Sequence, residues 1–501
     1  GSIQPSERKR LDLPTDWLPG SRRGYLTISP SPRVDLGRLA SFLFEYPYGC
    51  LEQTVSSAWG LLLLPDLLRE VDPLLVAESE IRNAMERRIR RILSMQTYEG
   101  GFSTWPGGAQ SVFWDSVYAT HFLQEAQKRG WEVPSETLRD ARNFLLTLLT
   151  LQPYSEEEEY LRNLISAQAY AAYVLASGGE APLAWMEHLR ERRNLLYDSG
   201  TFFLALAYAE AGQKEVALEL AGSYIPSPES IPQTGGIYES SLRKMALQLL
   251  LLLRLDPSAA QATNLVNKMR SVLAGTRYLT TQESAFLVMA LGEYFEGQQA
   301  LSYITFTLYD TAGREIRQFV NQETVRLGVE ELPPSFQIEN QTSGKIFYLW
   351  SVDGVPPTPP EPWQQGIAVK RVYLDAEGNL KDLSRIQRGE VLQAVIQVNT
   401  GQSLENVVIV DPLPGGLEVE NPRLATSASY EEGQDSSIHL EIRDDRLILF
   451  VPYLSQQFEY RYTVRAVTAG EFALPQIKAE CMYNPAISSL GEEGRVVIRR
   501  E

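Results

Sequence analysis

Tyr46-Pro47-Tyr48-Gly49-Cys50-Leu51-Glu52-Gln53 sets a thiol three residues ahead of a glutamine amide, at the point where a long helical pattern begins. Near the start of a helix, side chains at i and i+3 are neighbours on one face, so Cys50 and Gln53 can meet in a small ring. Gly49 gives the chain freedom to turn tightly just ahead of the thiol. Attack of Cys50 on the Gln53 amide would release ammonia and leave an internal thioester, an activated acyl group open to amines and hydroxyls. The thiolate is the attacking form, and a helix N-terminus favours it. The tetrapeptide alone also admits a plainer reading, a buried cysteine beside a capping glutamate and a surface glutamine.

Outward from this stretch, residues 36–296 read as helices. Leu36, Leu39, Phe42 and Leu43 follow Asp35, a candidate N-cap, and Leu242, Met245, Leu249 and Leu252 repeat the spacing until Asp256-Pro257 stops it. Roughly a dozen such segments are separated by short Gly, Pro or Ser breaks. Two of the breaks resemble each other, Glu99-Gly100-Gly101-Phe102 and Thr234-Gly235-Gly236-Ile237, and predict turns between the helix pairs of an α/α toroid. Strand patterns flank the block: Tyr25–Ile28 before it, Tyr303–Leu308 and 345–352 after it. A proline run, Pro356-Pro357-Thr358-Pro359-Pro360-Glu361-Pro362, then separates a last region. There Leu392, Ala394, Ile396 and Val398 alternate with other residues, as do Tyr460, Tyr462 and Val464, which predicts an antiparallel sandwich punctuated by turns at 412–416 and at Asp444-Asp445.

Composition narrows the function. A chain of 501 residues holds several domains, and a net charge of −17 speaks against a phosphate-binding or polybasic membrane role. No run of eighteen apolar residues is present, and Gly1-Ser2 reads as an added start rather than a signal peptide. Cys50 and Cys481 are the two cysteines, too few for a disulfide framework, and a bridge between them would consume the thiol the ring needs. With His121, His188 and His439 as the three histidines, no zinc set is legible, and no metal or cofactor is expected. His121, in an apolar helical run, reads as a packed residue. The acidic run Glu156–Glu159 reads as a solvated face.

The block from Tyr46 to Gln53 resembles the thioester region of the bacterial α2-macroglobulins, relatives of the animal protease-trapping and complement thioester proteins. The resemblance implies that Cys50 and Gln53 form the thioester. It implies an α/α toroid thioester domain (36–296) inserted in a CUB-like β-sandwich (3–35 plus 297–357). A linker (358–365) and a C-terminal macroglobulin-like or receptor-binding-like β-sandwich (366–501) follow. It also implies a shield against water, made of Tyr46, Tyr48, Trp105 on the glycine-rich loop 100–108, and Met482, with Trp114 as the rival to Trp105. Such residues also fill ordinary cores.

By the same resemblance the protein is a broad-range protease trap, a single-turnover inhibitor rather than an enzyme, whose partners are proteases captured covalently through lysine amines. Complement-type relatives relay the acyl group through a histidine. No histidine lies between His121 and His188, where that partner is expected, so direct aminolysis is predicted. Nucleic acid is not a partner, and membrane association would come only through a segment absent from this chain. The implied location is the periplasm, with lipoprotein anchoring of the full-length protein. Two other readings stay open: an envelope interaction protein on the same scaffold with a spent thioester, and an α/α-toroid catalyst such as a terpene cyclase. The second lacks a paired aspartate-rich motif.

Overall fold

The computed structural model describes residues 1–30, 39, 42–43, 49–65, 77–155, 157–222, 238–256, 260–276, 279–297, 303–420 and 437–500. It divides into two compact units, Gly1–Thr358 and Pro359–Glu501. The first unit contains α1 (Leu51–Leu63), α2 (Glu78–Leu93), α3 (Phe113–Lys128), α4 (Ser135–Thr150), α5 (Glu158–Ser177), α6 (Leu183–Glu191), α7 (Asp198–Glu210), α8 (Lys214–Gly222), α9 (Ser241–Leu255), α10 (Ala260–Gly275) and α11 (Thr281–Gly297).

Burial sorts these helices into two rings. In α1 every residue from Leu51 to Leu62 is buried, and in α3 every one from Trp114 to Gln124. Helices buried all round belong inside a core. In α2 only Ile81, Ala84, Met85, Ile89 and Ile92 are buried, the single stripe of an outer helix, and α4 shows the same stripe. Packing follows this division: α1, α3, α5, α7, α9 and α11 touch in succession, and α11 returns to α1. The outer helices lean on this ring, as α2 does on α1, α4 on α5 and α10 on α9. This closed double ring is an α/α toroid.

The inner helices run in parallel. At one end, Glu52 of α1 meets Thr281 of α11, and Ser199 of α7 meets Glu239, just ahead of α9. At the other end, Arg254 of α9 bridges Glu210 of α7 and Glu293 of α11. A cavity of about 330 Å³ opens there, lined by Trp59, His121, Tyr173 and Arg254 among others. The Gly100-Gly101 break forms the turn between α2 and α3. Gly100 sits at φ +90°, and a Cβ on Gly101 would come within 2.8 Å of the Phe144 ring. The matching break at 234–237, together with Asp35, lies outside the described residues.

The chain enters and leaves the toroid through one β unit. Strands β1 (Ser2–Ile3), β2 (Arg8–Asp12) and β3 (Arg23–Ser29) precede the helices. After them come β4 (Ile304–Tyr309), β5 (Glu315–Gln322), β6 (Val325–Gly328), β7 (Ser335–Asn340) and β8 (Ile346–Asp353). Two four-stranded sheets mix the sets, in the orders β1-β8-β3-β6 and β2-β7-β4-β5. Leu26, Ile28, Phe306, Phe336 and Ile338 fill one core between them.

The second unit is a sandwich of β9 (Trp363–Gln365), β10 (Ile367–Leu374), β11 (Ile386–Gln387), β12 (Val391–Thr400), β13 (Leu404–Pro412), β14 (Leu417–Val419), β15 (His439–Arg443), β16 (Arg446–Leu454), β17 (Gln457–Ala466), β18 (Gly470–Leu474), β19 (Lys478–Cys481), β20 (Asn484–Leu490) and β21 (Gly494–Arg499). Sheets β10-β12-β17-β14 and β15-β16-β13-β19-β20-β9 enclose its core, with β11-β21-β18 as a third sheet. The alternation read from sequence is a register: Leu392, Ala394 and Ile396 stand opposite Val464, Tyr462 and Tyr460. Asp444-Asp445 closes the two-residue hairpin between β15 and β16. One boundary needs correction. Residues 363–365, assigned above to the linker, pair with β20, because the Trp363 ring packs at the sheet edge and donates its Nε1–H to Ser488 at 3.3 Å.

Candidate functional site

Cys50 is the N-cap of α1. Its backbone is extended (φ −64°, ψ 170°), its carbonyl accepts the first intrahelical bond from Thr54 at 2.9 Å, and its side chain makes no capping bond. Gln53 is then the third helical residue. In a capping box these two positions reach toward one another, the N-cap side chain lying over the third residue and the third side chain folding back. The thiol and the amide thus stand at the N-cap and third positions of one helical turn, i and i+3 on one face.

Both side chains are shut away from water: Cys50 is 4% exposed and Gln53 0%. The plainer reading of the motif required a surface glutamine, and this one is interior. The turn is held from three sides. The Leu51 N–H donates to Thr104 O at 2.9 Å, Arg91 Nε donates to Gly49 O at 2.8 Å, and Glu52 accepts from Thr281 Oγ1 at 2.8 Å and Ser56 Oγ at 2.5 Å. These bonds offset the cost of burying the Glu52 carboxylate.

Of the residues named for shielding, Trp105 is half-buried and directly follows Thr104, whose carbonyl receives the Leu51 N–H, so its backbone adjoins the same turn. Trp114 faces the toroid interior instead, packed on Tyr170 and Phe203 beneath the guanidinium of Arg243. Tyr46 and Tyr48 lie outside the described residues. Met482 belongs to the second unit, where its N–H donates to Asn406 O in the turn between β19 and β20. Cys481 is buried there, and desolvation, then the charge of Glu480, push its thiol up to about 12. The two thiols are not bonded to each other.

Sequence reading missed the polar interior beneath the site. Arg243, 0% exposed, donates to Ser199 Oγ at 3.1 Å and Gln282 Oε1 at 3.4 Å and pairs with Glu239. Asp115 is buried with no cation paired to it among the described residues, and its Oδ1 accepts from Tyr238 OH at 3.3 Å. Burial foremost, and next the charge of Glu52, push Asp115 up to about 7. An ionisable residue inside the apolar run Phe113–Leu123 was the available signal. His121 is packed, as expected. Its Nδ1 lies 2.9 Å from Tyr170 OH, and desolvation lowers it to about 4.

Comparison with known proteins gives the setting. A family model described as the A-macroglobulin TED domain matches residues 31–167, and one described as the bacterial alpha-2-macroglobulin MG10 domain matches residues 366–486. These matches and the relatives below support a piece of the C-terminal region of a bacterial α2-macroglobulin. It is 29% identical over 535 residues to the alpha-2-macroglobulin of Escherichia coli K12, covering all of this chain and 31% of that protein. With the Xylella fastidiosa Temecula1 protein the identity is 26% over 510 residues, 95% of this chain and 30% of the relative. The chain therefore spans about a third of the α2-macroglobulins it matches. A crystal structure of native E. coli alpha-2-macroglobulin from domain MG7 to the C-terminus superposes with a TM-score of 0.85 at 27% identity, over all of this chain and 81% of that one. A Salmonella alpha-2-macroglobulin reacted with methylamine gives the same TM-score and identity over 99% of this chain and 33% of that one.

Proposed function

We propose that this chain carries the reactive centre of a protease trap: Cys50 Sγ bonded to the Gln53 carbonyl carbon as a thioester, opened once by a lysine amine of an attacking protease. The observation that carries the reading is the pairing of a thiol at the N-cap with a wholly buried glutamine at the third position of an inner helix. Water is kept from such an acyl group by burial. Amine attack on the Gln53 carbon breaks the C–S bond and Cys50 leaves as a thiolate. The histidines of the first unit support direct aminolysis. His121 is locked to Tyr170 toward the far end of α3, and His188 sits on the outer helix α6. Tyr46, Tyr48, Trp105 and Met482 are the proposed cover, and the periplasm the proposed place of action.

Intact mass with thiol titration tests the reading. The native protein should weigh one ammonia less than its sequence, and methylamine should add to Gln53 while one thiol becomes titratable. That thiol reports Cys50, because Cys481 is buried and protonated at neutral pH. A full-mass protein that takes no methylamine would refute the thioester. Cys50→Ala should abolish both signals and all covalent capture of a lysine-rich protease; capture that survives would sink the mechanism. Tyr48→Ala and Met482→Ala should each shorten the life of the thioester in water, and unchanged lifetimes would remove them from the cover.

A further inference from the structure

α1 and α3 lie side by side in the same direction, and one contact fixes which of their residues stand level: Tyr118 OH is 2.9 Å from Ser56 Oγ. One helical turn toward the N-termini from that pair stand Asp115 on α3 and Glu52 with Gln53 on α1, all buried. Glu52 is engaged by Ser56 and Thr281. Asp115 has the single bond from Tyr238, which reaches across the ring from the start of α9, and no cation pairs with it among the described residues. A carboxyl buried without a cation is costly to keep unless it serves a purpose, and this one stands one helix away from the reacting amide.

We propose that Asp115 is the proton acceptor for amine attack on the thioester, an inference that rests on the thioester reading above. The neutral amine adds to the Gln53 carbonyl carbon, and its nitrogen carries a surplus proton in the adduct. The Asp115 carboxylate takes that proton as the C–S bond breaks. The departing Cys50 thiolate then recovers it, so amide and thiol are formed and the carboxylate is restored. A base is most effective when it titrates near the working pH. Burial and the charge of Glu52 set Asp115 at about 7, while the Tyr238 bond pulls the other way. The other groups facing this space are Tyr118 on α3 and Tyr170 on α5, both held neutral by burial, and Arg243 on α9, which is paired with Glu239.

The rate of methylamine uptake, followed by mass and expressed per free amine, tests this between pH 5.5 and 9. The wild type should level off above about pH 7 and fall about tenfold per pH unit below it. Asp115→Asn, which keeps the Tyr238 bond, should lose that inflection and run about 100-fold slower at pH 8, and Asp115→Glu should restore the inflection. Tyr238→Phe should move the inflection upward. An Asp115→Asn protein with unchanged rate and inflection overturns the proposal, and so does a Tyr238→Phe protein whose inflection stays in place. The second variant decides the matter if Asp115→Asn cannot assemble the thioester. A wild type that takes no methylamine at any pH refutes the thioester itself, an outcome distinct from a missing inflection.

Discussion

Arg243 shows how single residues carry the toroid's interior. Its guanidinium lies 4.9 Å from the Trp114 ring centre and 5.6 Å from that of Phe286, while its N–H groups serve Glu239, Ser199 and Gln282. Removing one partner of a buried pair strands the other charge, so Arg243→Met should cost about 3–5 kcal/mol in urea unfolding. Adding Glu239→Gln should recover part of that loss, and a double variant no more stable than the single one would refute the pairing. Asp115 has a different signature. It holds its proton more tightly in the folded chain than unfolded, so its contribution favours folding below about pH 4 and is lost as pH rises to about 7. Asp115→Asn should therefore gain stability relative to wild type across that window, by up to about 4 kcal/mol, and a difference independent of pH would contradict this. At this scale the thiol and the amide were legible, because they are adjacent in sequence. Asp115, Tyr238 and Arg243 were not, because each acquires its meaning from a helix far away along the chain.

Helix ends decide where the chemistry sits. Inner helices start at one end of the toroid, and two of these starts are tied to a neighbour: α1 to α11 through Glu52 and Thr281, and α7 to α5 through the Tyr197 N–H on Ser166 Oγ. Ser240 caps α9 by accepting from the Arg243 N–H at 3.1 Å, so Ser240→Ala should cost about 1 kcal/mol by thermal or urea unfolding. The α2–α3 turn couples packing to reactivity. A methyl group on Gly101 would meet Ser111 Oγ at 2.6 Å and Phe144 at 2.8 Å, displacing the loop whose Thr104 carbonyl receives the Leu51 N–H. Gly101→Ala should destabilise by about 1–3 kcal/mol and shorten the thioester's lifetime in water. A normal lifetime in the destabilised protein would uncouple the loop from the site. Helix period and glycine turns were readable at this scale, since both are local. The strand at 363–365 was not, because a proline-rich neighbourhood hides three residues whose pairing partner is β20.

At the scale of the whole molecule, the second of the two units has a hydrophobic core of its own. Residues 359–501 enclose their own apolar interior, from Ile367 to Ile498, around a buried network in which Arg371 pairs with Asp411 and Tyr462 OH donates to Asp411 Oδ2 at 2.6 Å. Produced alone, this unit should unfold in one cooperative transition; a non-cooperative melt would show that its core is incomplete. The first unit is built otherwise, since strands from residues 2–29 and 304–353 share sheets and the toroid lies between them in sequence. Local patterns alone settled the helix block, the strand-rich flanks, the alternating strands after the prolines and the Cys50 to Gln53 spacing, because periodicity and i to i+3 neighbours are properties of nearby residues. Only the tertiary structure decided that α11 closes on α1, that Gln53 is interior rather than at the surface, and that the buried Asp115 carboxyl feels the charge of Glu52. Ring closure and burial depend on contacts between residues as far apart as Glu52 and Thr281, and no local pattern encodes such pairings.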